Sequence, residues 1–355
     1  MKVLQVCAYA APYEGNFIKS LKALQSGLKE KTIETIYAFP ESAKEIQWCK
    51  ELALNSKVYF LPLSKASIRP ATRLALKEIY KQNPDISIIH SHFELYDMPV
   101  ALTAPKSVKV FWHLHDAIQM YDDFKNKLLH KLQYGFLNKR VTLLSVSEKH
   151  RDYVLSLGFP KKNAYFLPNA LDLKRIEKVE TEVFSRKFDF LIFGWEFERK
   201  GVDLCIESFK KLNGNAKLAI VATKDIEERI VNQYGSIDGI EVLELTKDIN
   251  RLYSQTKCFL HISRAEGLSY ALLEAVFAGL PVICSDIKEN LFAEKFQTVT
   301  MVKSEDIDSI SLAMQKQFSN PSLDDDIIEN ARSVIKKEYS IEKWVETVLE
   351  FYEVK

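Results

Sequence analysis

The sequence predicts an α/β protein made of two doubly wound domains, each with a parallel sheet. Three observations carry the prediction. Short apolar runs alternate with amphipathic stretches along the whole chain, the pattern of strands joined by crossover helices. The length of 355 residues is enough for two such domains. Residues 258–286 form a strand–loop–helix–strand unit whose polar loop falls at the carboxyl end of a strand, where open α/β sheets bind ligands.

Taken in order, the first strand is expected at 3–8, followed by a loop through Gly15, where the missing side chain lets a ligand approach the backbone. A helix over 17–29 follows from the spacing of Phe17, Leu21, Leu24 and Leu28. No GxGxxG follows the first strand, which argues against a dinucleotide dehydrogenase. Further strands are expected at 35–39, 58–61, 86–90, 108–112, 141–146 and 164–167. The second domain opens with a strand at 188–193, a loop from Gly194 to Gly201 and a helix over 202–212. Strands at 217–222, 239–244, 258–262, 282–284 and 296–302 follow, with a helix over 268–278 that Gly279 and Pro281 stop. The tail is helical over 327–335 and 341–352. The expected division is 1–172, a charged linker at 173–187, a second domain at 188–335 and a terminal helix at 336–355.

Apolar residues make up 47% of the chain and the net charge is +1, a globular composition with no general affinity for nucleic acid. The charge is unevenly spread. Residues 1–172 hold 24 Lys and Arg against 16 Asp and Glu, whereas 173–355 hold 25 against 32. An N-terminal half that touches an anionic surface fits this asymmetry, and so do scattered solvated lysines. Cys7, Cys49, Cys205, Cys258 and Cys284 lack CxxC spacing and fit reduced thiols in a cytoplasmic protein. The chain runs straight into a strand from Met1, so no signal peptide is expected, and no apolar run reaches the ~18 residues of a membrane span.

Glu266 lies in the loop before the 268–278 helix, and Glu274 lies inside it among Leu272, Leu273, Ala275, Val276 and Phe277. A carboxylate in that company needs a partner. The backbone N–H groups of Gly267, Leu268 and Ser269 point ahead of the helix and suit an anionic or oxygen-rich ligand. The plainer alternative makes Glu274 a surface residue and Glu266 a cap-like acid. Arg199 and Lys200 stand at the mouth of the 202–212 helix, a place for a pyrophosphate or simply a solvated turn. His90 and His92, and His113 and His115, alternate at two strand ends and so share faces. Metal binding is one use of them, but the spacing matches no standard zinc site and structural histidines are the commoner outcome, so no metal is expected. Residues 124–140 interleave Phe124, Leu128 and Leu132 with Lys125, Lys127, Lys131 and Lys139, which fits an interfacial helix or a core-facing helix with a basic side.

Glu266 and Glu274, with Ser263, Gly267, Ala275, Gly279 and Pro281 around them, resemble the acidic motif of retaining glycosyltransferases of family 4, which have the GT-B fold of two Rossmann-like domains facing across a cleft. The resemblance covers the chain and is strongest over 188–286. It implies roles residue by residue. Lys200 and Gly201 match the Lys-Gly that meets the leaving diphosphate, and Trp195 stands where the family has an Arg. Either Arg199 supplies the second cation or Lys200 works with less help. Glu266 would hold the sugar with Gly267, Leu268 and Ser269, and Glu274 the ribose. His115, followed by Asp116, matches the His-Asp that faces the donor sugar. Pro168-Asn169-Ala170-Leu171-Asp172 resembles the family's Pro-Asn-Gly-x-Asp, which makes Asn169 a donor-side residue. Residues 244–249 match the segment that holds the base, and Trp344, Leu349 and Tyr352 would anchor the terminal helix on the first domain. The family implies no cofactor and no metal. The donor would be a nucleotide sugar, a UDP-sugar foremost. The acceptor would be a glycan or polyprenyl-linked hydroxyl in cell-surface polysaccharide synthesis at the inner face of the membrane. A non-catalytic GT-B partner, motivated by Trp195, and a nucleotide-sugar epimerase are the alternatives.

Overall fold

A computed structural model of the chain describes residues 1–62, 70–115, 124–136, 140–176, 186–212, 215–246 and 248–354. The chain forms two compact units: unit 1 is Met1–Ala170 with Ile341–Lys355, and unit 2 is Leu171–Ser340.

Unit 1 holds β1 (Lys2–Cys7), β2 (Glu34–Pro40), β3 (Lys57–Leu61), β4 (Ile86–His92), β5 (Lys109–Leu114), β6 (Val141–Ser145) and β7 (Ala164–Phe166). They make one parallel sheet in the order β3-β2-β1-β4-β5-β6-β7. Its helices are α1 (Gly15–Glu30), α2 (Gln47–Asn55), α3 (Pro70–Gln82), α4 (Asp97–Thr103), α5 (Phe124–Phe136) and α6 (Glu148–Ser156). Both sheet faces are covered, so the strands are apolar nearly throughout rather than alternating. In β1, Val3, Leu4, Val6 and Cys7 are all fully buried. α1 buries Phe17, Ile18, Leu21, Leu24 and Leu28 along one stripe.

Unit 2 holds β8 (Phe188–Phe193), β9 (Leu218–Val221), β10 (Ile240–Leu243), β11 (Thr256–His261), β12 (Val282–Ser285) and β13 (Val299–Val302), parallel in the order β10-β9-β8-β11-β12-β13. Its helices are α7 (Val202–Phe209), α8 (Lys224–Tyr234), α9 (Ile249–Ser254), α10 (Tyr270–Ala278), α11 (Ile307–Ser319) and α12 (Asp325–Tyr339). α13 (Ile341–Tyr352) belongs to unit 1, where Trp344, Val348 and Tyr352 pack with Leu24, Leu28, Ile88 and Phe111.

In both sheets the strand order reverses once, between β1 and β4 and between β8 and β11. The carboxyl ends of strands flanking such a reversal leave a crevice, because the crossover helices on either side lead away to opposite faces.

Several expectations shift. The division falls at 170 and 341 rather than at 172 and 336. Residues 325–339 are one helix, which buries Ile328, Ala331, Ile335 and Tyr339 within unit 2. Of the expected linker, Leu173–Arg175 is a short 3₁₀ turn, and 177–185 lie outside the described residues. α10 begins at Tyr270 rather than 268, because Ser269 caps it by accepting the Leu272 N–H at 3.4 Å. In α5, Leu128 and Leu132 are exposed, as is Lys131. Asp116, Lys139, and the side chains of Phe124, Lys125 and Lys127 lie outside the described residues. All five cysteines are buried and unpaired. No described helix is long and apolar enough to cross a membrane.

Candidate functional site

The expected residues fall into two groups. Lys200, Arg199, Glu266, Gly267, Leu268, Ser269 and Glu274 are in unit 2, and Gly15, His115 and Asn169 are in unit 1.

In unit 2 the site forms at the reversal between β8 and β11. The loop after β8 carries Arg199 and Lys200, and the loop after β11 carries Glu266. Gly201 brings the two loops together. It has φ +68°, and a Cβ there would lie 2.1 Å from the Ile262 carbonyl oxygen, so only glycine fits. Lys200 Nζ then donates to Glu266 Oε1 at 2.7 Å, and both side chains are 7% exposed. Arg199 Nη1 donates to Glu266 Oε2 at 3.1 Å, while its Nε and Nη2 hold Glu196 at 2.7 and 2.6 Å. His261, at the end of β11, lies 3.8 Å from Glu266 Oε1. Burial alone would push the Glu266 carboxyl up. His261, Lys200 and Ser263 outweigh it and hold the carboxyl at about 2. Burial lowers the Lys200 ammonium, with Glu266 opposing.

Trp195 occupies the place of the family's Arg. Its ring lies 5.0 Å from Lys200 Nζ and stacks on Phe193 at 5.5 Å. The second cation near Lys200 is therefore Arg199; both pair with Glu266, and Arg199 pairs with Glu196 as well. The backbone N–H groups of Gly267, Leu268 and Ser269 have no partner among the described residues. They remain available to a ligand at the start of α10.

Glu274 is a buried member of α10, 5% exposed, and not a surface residue. Tyr253 Oη donates to its Oε2 at 3.4 Å, and Arg175 Nη2 lies 3.5 Å from its Oε1. Asn250 Nδ2 fixes the Arg175 backbone by donating to its carbonyl at 2.9 Å. The sequence reading missed Arg175, Tyr253 and His261. Arg175 lay in a charged stretch without pattern, and the two others sat in apolar company that signals only core. Residues 244–246 and 248 are described and Lys247 is not.

In unit 1, Gly15 opens α1 with φ +60°. His115 follows β5 and is 6% exposed. Its Nδ1 lies 2.6 Å from Asn169 Oδ1, and Asn169 Nδ2 donates to the His115 carbonyl at 3.3 Å. Its Nε2 lies 2.9 Å from His92 Nδ1. Both ring nitrogens are thus engaged inside unit 1. Burial lowers the ring to about 4, with Asn169 opposing, so it is neutral near pH 7.

The likeness to solved structures shows the fold first. The chain overlays a crystal structure of Anabaena HepE in complex with UDP and glucose, with TM-score 0.78 and 12% identity, covering 99% of each chain. A Rickettsia africae glycosyltransferase gives TM-score 0.79 at 15% identity, over 99% of this chain and 97% of that one. The apo lipopolysaccharide outer core galactosyltransferase WaaB gives 0.76 at 15%, over 99% of each. The fold is GT-B. Residues 26–175 match the family model Glycosyltransferase Family 4, and residues 174–334 match Glycosyl transferases group 1. Together they span most of the chain, which belongs to the family 4 glycosyltransferases. An uncharacterized glycosyltransferase of Methanocaldococcus jannaschii is 23% identical over 267 residues, 69% of this chain and 66% of that protein. Another from Haemophilus influenzae is 24% identical over 189 residues, 50% of this chain and 51% of that protein. The matched region spans less than two thirds of either relative.

Proposed function

We propose that this chain transfers a sugar, with retention of configuration, from a nucleotide-diphosphate sugar to a hydroxyl of a glycan or lipid-linked acceptor. The observation that carries this reading is the Lys200–Glu266–Arg199 cluster beside the open N–H groups at the start of α10. It offers two cations to a diphosphate and a carboxylate with free N–H donors to a sugar's hydroxyls. Glu274, held by Arg175 and Tyr253, offers a carboxylate to the ribose diol. UDP is the proposed carrier, supported by the similar Anabaena protein crystallised with UDP and glucose. Residues 244–249 would hold the base, and Gly15 and Asn169 are the donor-binding residues proposed in unit 1.

In the proposed reaction the bond between the anomeric carbon and the diphosphate oxygen breaks as the acceptor oxygen bonds to that carbon on the same face. The acceptor's proton passes to the departing phosphate oxygen. Lys200 and Arg199 stabilise the diphosphate as its charge grows, and Glu266 holds the sugar in place. No metal or cofactor is needed for this scheme. A role in cell-surface polysaccharide synthesis at the cytoplasmic face of the membrane is proposed with it, the exposed Leu128 and Leu132 with Lys131 being the feature that would meet lipid.

Trp195 favours one rival, a non-catalytic partner, because it replaces an expected cation. The deciding experiment measures binding and turnover of UDP-, GDP-, dTDP- and ADP-sugars by the wild type, Glu274→Ala and Lys200→Ala. Selection of one donor that both variants lose supports the transferase reading. A folded wild type that binds none of them sinks it in favour of the partner, and release of free sugar or an epimer without acceptor points to an epimerase.

A further inference from the structure

We propose that His90, His92 and His113 form a zinc site inside unit 1, and that filling it frees His115 Nε2.

The strand geometry brings the three rings together. His90 and His92 are alternate residues of β4 and share a face, and His92 pairs in register with His113 of the neighbouring strand β5. One ring nitrogen from each lies within 4.8 Å of the other two. All three side chains are completely buried. The rings stack, His90 on His92 at 4.0 Å and His90 on His113 at 5.4 Å, so a shared ion requires at least one ring to turn. His90 Nε2 has no hydrogen-bond partner among the described residues, and His113 has none beyond the Leu167 backbone. Buried polar atoms without partners are costly, and such atoms on neighbouring rings point to a ligand.

Counting protons sharpens the case. Asn169 Nδ2 donates to the His115 carbonyl, so Asn169 Oδ1 must accept, and His115 carries its proton on Nδ1. At the other end Gln5 Nε2 donates to Tyr352 Oη at 3.1 Å. Gln5 Oε1 must then accept from His92 Nε2 at 2.7 Å. The inner nitrogens, His92 Nδ1 and His115 Nε2, are left as two lone pairs facing each other at 2.9 Å. At that separation the contact is repulsive, and moving either ring without a new partner would strand a buried nitrogen.

A Lewis acid that draws His92 Nδ1 away from His115 relieves it instead. Zinc fits the donor set: it takes neutral imidazole nitrogens at ~2.0–2.1 Å and has no electronic preference that the strand geometry would offend. The outer partners are those a zinc-bound histidine uses to fix its ring. Gln5 Oε1 accepts from His92 Nε2, and Tyr352 Oη lies 2.6 Å from His90 Nδ1. Once His92 turns to the ion, His115 Nε2 loses its partner and becomes the ring nitrogen open to a sugar hydroxyl. Only that last consequence rests on the transferase reading; the zinc site itself does not.

The test uses the full chain, made without a polyhistidine tag in zinc-supplemented medium and dialysed. The expected result is one zinc per chain by elemental analysis, ligand-field absorption bands on titrating the chelator-stripped protein with Co²⁺, and a zinc-dependent rise in Tm. His90→Asn and His113→Asn, checked for folding by circular dichroism, should lose all three. Tyr352→Phe, which removes only an outer partner, should retain the site with affinity weakened about 10–100-fold. Three outcomes overturn the proposal. One is a folded wild type that holds no zinc and gives no cobalt bands. Another is zinc held equally by both asparagine variants. The third is ¹⁵N spectra of the stripped chain that place the His92 proton on Nδ1, with the Gln5 amide turned over, whether or not zinc is added.

Discussion

Lys200 Nζ lies 2.7 Å from Glu266 Oε1, across 66 residues of sequence and within a part of unit 2 that water barely reaches. Removing one member of a buried ion pair typically costs ~3–5 kcal/mol, because the other is stranded. Arg199 remains to hold Glu266, so Lys200→Ala should fall at the lower end of that range in urea unfolding. The double variant Lys200→Met with Glu266→Leu should recover most of the loss while remaining inactive. A double variant no more stable than the single would show that the pair is not what Lys200 contributes to folding.

Acid should expose the same pair. The Glu266 carboxyl sits at about 2 in the folded chain, against an ordinary value of 4.5. Its folded pKa is depressed, so the unfolded chain binds the proton more readily. The stability it contributes is complete above about pH 4.5 and is lost as pH falls toward 2. Between those limits the Tm of the wild type should drop more steeply than that of Glu266→Gln. Parallel curves would mean that Glu266 carries no such charge preference.

Arg175 should matter to the donor without touching the reacting bond. It lies 3.5 Å from Glu274 Oε1, and Tyr253 holds the other carboxylate oxygen. Arg175→Ala should weaken UDP binding by roughly tenfold, in line with loss of one charge-assisted contact. Glu274→Ala should weaken it further, and the two losses should not add, since both act on one carboxylate. Calorimetric titration reads this directly, and additive losses would separate Arg175 from Glu274.

Asp97 should be a place where stability can be raised. Its side chain is completely buried, and burial pushes its carboxyl well above the ordinary range, so the folded chain favours the protonated acid. A raised folded pKa means stability is present at low pH and lost as pH rises through the unfolded value. Asp97→Asn removes the penalty. At pH 7 it should unfold at higher urea than the wild type by roughly 1–3 kcal/mol, with the difference vanishing below about pH 4.

Much of the architecture was legible because it is written in local patterns. Buried parallel strands are apolar runs and crossover helices are amphipathic stripes, so the alternation implied two doubly wound sheets before any contact was known. The placement of Glu266 ahead of a helix and Glu274 within it followed from the same patterns. The segment 327–335 was legible as helical, but its continuation to Tyr339 was not, because Lys336, Lys337 and Glu338 interrupt the apolar pattern.

What the sequence by itself determined is the set of elements and the chemistry they carry: lysine, arginine and one glutamate in loops after strands, a second glutamate within a helix, and histidines alternating on two strands. Only the tertiary structure decided who meets whom. Gly201, packed against the Ile262 carbonyl, brings Lys200 to Glu266, and the β8–β11 reversal sets both at one crevice. The β4–β5 register places His92 beside His113 and leaves His115 facing His92 rather than open. Arg175 reaches Glu274 from a stretch with no periodicity at all. Local propensity acts over a few residues and leaves a trace in each one. A pairing across tens of residues depends on strand order and register, which no short stretch of sequence encodes alone.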